Sequence, residues 1–293
     1  MIREINIPQI TSEEISAIAV NFPKGIIFLD LETTGLSPLM DKIIEISAIK
    51  VRSDKIEKFD SLIDPKISIL PASTKIHGIN DEMVHGRPMI DDILGNFMAF
   101  VENLPIVAHN ARFDLGFIVF NLHRLKMAMP NNEVYCSCKF ARKAFPQLKK
   151  FNLAFLIESL NVHIDNHHRA LDDAIAAAHV FAKGLVYLNR GSNREKTAIL
   201  KDSFLFRLDE FNKKTDYSVP EHLEILKEKV NLQEEIEIIY SGGSHRNKFR
   251  PIKPVSILPM PAGNVLYAKC LLSDQYKSFA LSKISEVRNI PPK

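Results

Sequence analysis

Cysteine occurs only three times in the 293 residues, and no apolar run approaches membrane length. Cys136, Cys138 and Cys270 cannot build a disulfide framework, and no second Cys/His pair completes a zinc site around Cys136 and Cys138. A membrane helix needs about 18–20 consecutive apolar residues. The opening stretch MIREINIPQITSEE has acids where a signal peptide needs an apolar core. Internal repeats and low-complexity tracts are also missing. These absences predict a reducing, cytoplasmic protein with no membrane partner. Neither charge sign is in excess, with 38 Lys and Arg against 35 Asp and Glu. With 46% apolar and 25% charged residues, a disordered or collagen-like chain is excluded. The length allows about two domains, because single cores rarely grow past roughly 250–300 residues.

The pattern along the chain separates these domains. Thr11-Ser12-Glu13-Glu14 is a capping-box pattern ahead of Ile15, Ile18 and Ala19, which predicts a first helix. Three strands follow, at 25–33, 43–51 and 58–63, as an antiparallel meander. Helices are predicted over 89–103, 112–127, 139–145, 152–160 and 170–188, with short strands at 105–109 and 133–137. Three antiparallel strands followed by β/α alternation predict an α/β domain: a mixed sheet with helices on both faces. The polar stretch at 189–193 marks the expected boundary. The division predicted is a first domain over 1–190, a linker and helical segment over 191–233, and a small all-β module over 234–293.

Carboxylates stand at three places where structure alone has little use for them. Asp30 and Glu32 lie at i, i+2 on the first strand and so share a face. Two acids about 7 Å apart at a buried strand end repel one another, and a divalent cation removes the conflict. The alternative is a strand end that turns polar at Thr33-Thr34-Gly35, with both acids solvated. Asp114 falls in the first turn of a helix that Asn110 is placed to cap; the alternative is an acid that complements the helix dipole, worth some tenths of a kcal/mol. His168 and Asp173 open the alanine-rich helix. They are five residues apart, about 140° around a helix, so they converge only if His168 sits in the preceding loop; the alternative is acids at a helix N-terminus with surface histidines. Four acids and a histidine thus gather at element ends, where open α/β sheets build their sites. Hard oxygen ligands without cysteine suit Mg²⁺ or Mn²⁺. Several carboxylates around two such ions form the usual clamp for phosphodiester displacement, with a nearby histidine to accept the proton of the attacking water.

FLDLETTGL (28–36), AHNARFDLGFI (108–118) and HRALDDA (168–174) resemble the three motifs of the DnaQ-like 3′–5′ exonucleases with a DEDDh site. PASTKIHGINDEMV (71–84) resembles the T-x-I-H-G-I segment of their DNA-proofreading branch. The resemblance covers about residues 24–187 and implies an RNase H-like fold. It implies Asp30 as the bridge between two Mg²⁺ ions, which Mn²⁺ can replace. Glu32 and Asp173 would complete the site of the ion that activates water, Asp114 would help hold the second ion, and His168 would be the general base. Thr33, Leu36, His77 and Asn110 are the expected substrate-binding positions. The implied activity is release of nucleoside 5′-monophosphates from single-stranded DNA. An exoribonuclease, or a nucleic-acid-binding regulator with minor catalysis, is the alternative. A polymerase or repair partner is compatible with the family but has no visible motif here.

Residues 238–293 hold nine Lys and Arg against two acids, whereas residues 1–190 hold 21 against 22. The near-neutral total therefore conceals a basic end. Aromatics interleave with this charge, the composition of a surface that follows a phosphate backbone and stacks bases; the alternative is a small barrel with core aromatics and solvated lysines. This end resembles a WYL domain, an Sm/SH3-like β-barrel, through Arg250-Pro251-Ile252-Lys253-Pro254. It departs in the naming tripeptide: the chain has no tryptophan, and Leu266-Tyr267-Ala268 stands there. Arg250, Tyr267, Lys269 and Lys283 are the expected nucleic-acid contacts.

Overall fold

The computed structural model describes residues 3–4, 10–164, 169–212, 218–243 and 245–291. In chain order the elements are β1 (Arg3–Glu4), α1 (Ser12–Asn21), β2 (Ile26–Thr33), β3 (Ile43–Val51), β4 (Ile56–Leu62), α2 (Pro71–His77), α3 (Asp81–Val84) and α4 (Ile90–Val101). Next come β5 (Ile106–Ala108), α5 (Arg112–Arg124), β6 (Glu133–Cys136), α6 (Ser137–Ala144), α7 (Leu153–Ser159), α8 (Ala170–Asn189), α9 (Asn193–Ser203) and β7 (Phe204–Arg207). The last are α10 (Ile225–Leu232), β8 (Ile236–Tyr240), β9 (Phe249–Leu258), β10 (Val265–Cys270), β11 (Gln275–Ala280) and β12 (Ile284–Asn289). They fall into two compact units, Met1–Thr34 with Lys42–Asp209, and Gly35–Asp41 with Glu210–Lys293.

The first unit is built on a seven-stranded mixed sheet in the order β1-β4-β3-β2-β5-β6-β7. β2, β3 and β4 form the antiparallel meander, β5 and β6 run parallel to β2, and β7 returns antiparallel to β6. The period of two divides β2 between two helical layers. Ile26 and Phe28 pack with α1, α6 and α8, where Phe28 meets Phe181. Ala48, the cross-strand partner of Leu29, shares its face with Phe59, and Phe59 meets Phe97 and Phe100 of α4. Covered on both faces, β3 is buried at all nine positions. The capping box at Thr11 forms as its spacing requires, Thr11 N–H donating to Glu14 and Glu14 N–H to Thr11 Oγ1. Gly184 of α8 sits where α6 crosses: a Cβ there would lie 2.3 Å from the Phe140 ring.

The second unit has one five-stranded antiparallel sheet, β11-β10-β9-β8-β12. Residues alternate between buried and partly exposed along β10 and most of β9, so one face covers a core of Leu226, Val230, Ile236, Ile252, Leu266 and Phe279. The expected barrel is corrected here. β11 and β12 are the outer strands and do not pair with each other, so the sheet stays open. The linker expected over 191–233 also differs. α9 and β7 fold with the first unit, β7 pairing with β6 through Phe206 and Val134, and the division falls after Asp209. Gly35–Asp41 was expected within the first domain. It instead belongs to the second unit, where Ser37 Oγ donates to the Ile257 carbonyl (3.2 Å) and Leu39 and Met40 pack on the core.

Candidate metal-binding active site

The alternation that points Ile26 and Phe28 at α8 also points Asp30 and Glu32 at it. Asp173, in the first turn of α8, meets them: ligand oxygens of Asp30, Glu32 and Asp173 all lie within 4.8 Å of one another. Asp114, buried in the first turn of α5, comes from the opposite layer, and its carboxylate accepts the N–H of Leu31 between the two strand acids. Four acids predicted from three separate motifs thus converge at one end of β2.

Their electrostatics require a counter-charge. Burial first, then the charges of Asp114, Asp173, Glu32 and Glu45, holds Asp30 well above the usual carboxylate range. Burial, with Asp173 and Glu45 beside it, pushes Glu32 up to about 8, and burial lifts Asp114 to about 8. Ionised together these groups repel, and either protons or a cation must compensate. The donor set is all carboxylate, which fits a hard divalent ion rather than a thiophilic one.

Glu45 and Arg169 are the partners that the sequence reading missed. Glu45 lies on β3 directly across from Glu32 and is buried. It accepts both Nε and Nη2 of Arg169 and the backbone N–H of Ala170 at 3.0 Å. Arg169, at the N-cap of α8, makes no capping bond with its side chain, so a carboxylate from the sheet takes that role. The signal was present: Glu45 is the one acid in the apolar run IIEISAIKV, and Arg169 lies inside HRALDDA.

The remaining predicted positions divide. His168 lies outside the described residues. Thr33 ends β2 and is buried, and neighbouring Thr34 accepts the Ser73 hydroxyl at 2.9 Å, which ties α2 to this strand end. His77 closes α2, buried, its Nδ1 accepting the N–H of Ile79 at 3.0 Å. Asn110 does not cap α5 with its side chain. It adopts a left-handed conformation (φ 60°), and its carbonyl accepts the N–H of Phe113. Leu36 is exposed and lies in the segment that folds with the second unit. There, Arg250 is corrected from a surface contact to a core side chain: it is 4% exposed, with Nη1 on Cys270 Sγ at 3.2 Å and its guanidinium over Phe279. Tyr267 and Lys269 lie on the other, open face, with Tyr267 stacked on Tyr276 (5.6 Å, 18°), and Lys283 is exposed.

Comparison with known proteins extends this geometry. DNA polymerase III PolC-type of Clostridium perfringens is 37% identical over 190 residues, 64% of this chain and 13% of that protein. The protein of the same name from Thermotoga maritima is 37% identical over 158 residues, 54% of this chain and 12% of that protein. The chain therefore spans only a small part of these relatives' lengths. The zinc-bound form of the E. coli ExoI–ssDNA complex superposes with a TM-score of 0.51 at 18% identity, covering 79% of this chain and 51% of that one, a likeness of fold. The family model described as Exonuclease matches residues 27–181, from the strand that carries Asp30 through the helix that carries Asp173, over half the chain: the protein belongs to this exonuclease family.

Proposed function

We propose that the protein is a metal-dependent 3′–5′ exonuclease that releases nucleoside 5′-monophosphates from single-stranded DNA. One observation carries the reading: the ligand oxygens of Asp30, Glu32 and Asp173 cluster within 4.8 Å, with Asp114 alongside. These four acids would hold Mg²⁺, with Mn²⁺ as a substitute. Bound there, two ions would polarise the scissile phosphate and stabilise the attacking and leaving oxygens. The chain's own residues supply the rest. Glu45 and Arg169 hold the start of α8, and with it Asp173, in register with β2. His168 is the proposed general base, taking the proton of the attacking water. Thr33, Leu36, His77 and Asn110 are the proposed contacts to the terminal nucleotide. The names of the PolC-type relatives support DNA over RNA. The second unit, with its WYL-like sequence, is proposed as a strand-binding or regulatory attachment.

The test is mononucleotide release from 3′-labelled DNA and RNA oligonucleotides of matched sequence under Mg²⁺ or Mn²⁺ titration. DNA is the expected substrate, and strong RNA preference would overturn that choice. Asp30→Ala and Asp114→Ala are each expected to lose about 10³-fold or more in rate. Full activity in either variant would refute the site.

A further inference from the structure

Between Val134 and Ile157 the chain carries Lys139, Arg142, Lys143, Lys149 and Lys150 and no acid. All five are exposed. The topology places them with respect to the catalytic acids. β2, β5 and β6 are mutually parallel, so the ends that carry Glu32, His109 and Ser137 lie on one edge of the sheet. His109 joins that edge to the basic segment: Nε2 lies 2.9 Å from the Phe151 carbonyl, and Nδ1 lies 3.0 Å from Ser137 Oγ. A carbonyl can only accept, so Nε2 carries the proton. Burial holds this imidazole down at about 4, so it is neutral and Nδ1 accepts the Ser137 hydroxyl. Cys138 Sγ adds a contact to the same carbonyl at 3.3 Å.

Lys149 and Lys150 immediately precede this anchored residue. Arg142 is drawn to the same place, its guanidinium 5.3 Å from the Phe151 ring centre, and its charge acts on His109. Among the described residues Lys139, Lys149 and Lys150 form no ion pair. Lys143 has only a loose surface one with Asp202 at 3.7 Å. Exposed lysines commonly need no partner but water. What distinguishes these is a run of five basic residues without an acid, in a stretch (1–190) whose other residues hold 16 Lys and Arg against 22 acids, anchored one residue from Asn110.

We propose that Lys149 and Lys150, with Arg142 and Lys139 behind them, form a phosphate-binding strip for the backbone of a single nucleic-acid strand, upstream of the scissile bond. The proposal rests on the reading of the acidic cluster as a nuclease site. It makes the first unit a strand-holding body in its own right, independent of the basic second unit.

The test is binding of a fluorescently labelled 20-nucleotide single strand to the full-length protein in EDTA, followed by anisotropy over a salt series. Lys149→Glu/Lys150→Glu is expected to weaken binding about tenfold and to flatten the plot of log K against log salt by about 1.4, since each phosphate contact on a single strand contributes about 0.7. Lys24→Glu/Lys55→Glu, at the opposite edge where Ile26 pairs with Val51, is the control and should bind as the parent does. Unchanged binding in the first variant, or equal loss in both, overturns the strip. A parent that binds but never cleaves with metal overturns the nuclease reading and leaves the strip standing. A parent that binds no strand in EDTA overturns the strip, and cleavage with Mg²⁺ or Mn²⁺ then decides the nuclease reading separately.

Discussion

The carboxylate of Glu45, on the central sheet, closes at once on the Arg169 guanidinium and on the first amide of the helix that carries Asp173. This one side chain fixes where the helix bearing Asp173 begins, while it adds negative charge beside Glu32. Groups that orient ligands of a metal commonly cost 10–100-fold when altered. Glu45→Gln, which keeps the shape and removes the charge, is expected to lower the exonuclease rate by about that factor. It should also weaken Mn²⁺ binding measured by electron paramagnetic resonance without substrate. A variant that melts at a lower temperature yet binds Mn²⁺ as tightly as the parent would show that Glu45 only stabilises the fold.

The raised carboxylates set a pH signature. Glu32 and Asp114 titrate near 8 in the folded protein and near the usual carboxylate value in the unfolded chain. Between those values the folded state holds more protons, so stability falls as pH rises from about 4 through about 8. Each pH unit between the folded and unfolded values is worth about 1.4 kcal/mol, roughly 3–6 °C in a domain of this size. The melting temperature without metal is expected to be lower at pH 8.5 than at pH 5.5. Mg²⁺ or Mn²⁺ should raise it more at the higher pH. Asp30→Asn, which removes one of the repelling charges, should flatten the pH dependence. A metal-free melting temperature that rises with pH contradicts the cluster's electrostatics.

Gly184 exists for the crossing of α6 and α8. A methyl group there meets the fully buried Phe140 ring at 2.3 Å. Gly184→Ala gains helix propensity of about 1 kcal/mol, but overpacking costs typically 1–3 kcal/mol. Net destabilisation in urea melts is expected, and a variant more stable than the parent would show that the crossing is loose.

Arg250 and the open face of the second unit should behave differently. Arg250→Ala removes a buried cation that contacts Cys270 and lies over Phe279. It is expected to destabilise the second unit by about 2 kcal/mol or more, through lost packing and an emptied site. Lys253→Ala/Lys269→Ala leaves stability within about 0.5 kcal/mol and reduces the salt slope of strand binding. Chemical denaturation together with anisotropy separates the two, and equal stability loss in both variants would contradict the division into core and surface.

Much of the first unit was legible because the relevant periods are short. Alternation on β2 placed Asp30 and Glu32 on one face, and Thr11 with Glu14 announced a capping box that forms. What escaped was long-range. Glu45 meets Arg169 across 124 positions of sequence, and no local pattern says that an acid in an apolar strand has a cation waiting. Asn110 looked like a helix cap because asparagine favours that role. It also tolerates a left-handed backbone, and the turn into α5 uses that property instead. Arg250 looked like a surface charge because charged side chains rarely stay buried without a partner. Its partners, Cys270 and Phe279, are 20 and more residues away.

The short excursion Gly35–Asp41 bears on how the gene can be cut. It leaves β2, contributes Leu39 and Met40 to the core of the second unit, and returns to begin β3. The chain therefore passes between units three times, and no single break separates them. A protein shortened to end at Asp209 would keep the whole acidic cluster. It would also keep Leu39 and Met40, and lose the partners on which they rest. The second unit thus takes a segment of chain from between β2 and β3, rather than being a single appended cassette.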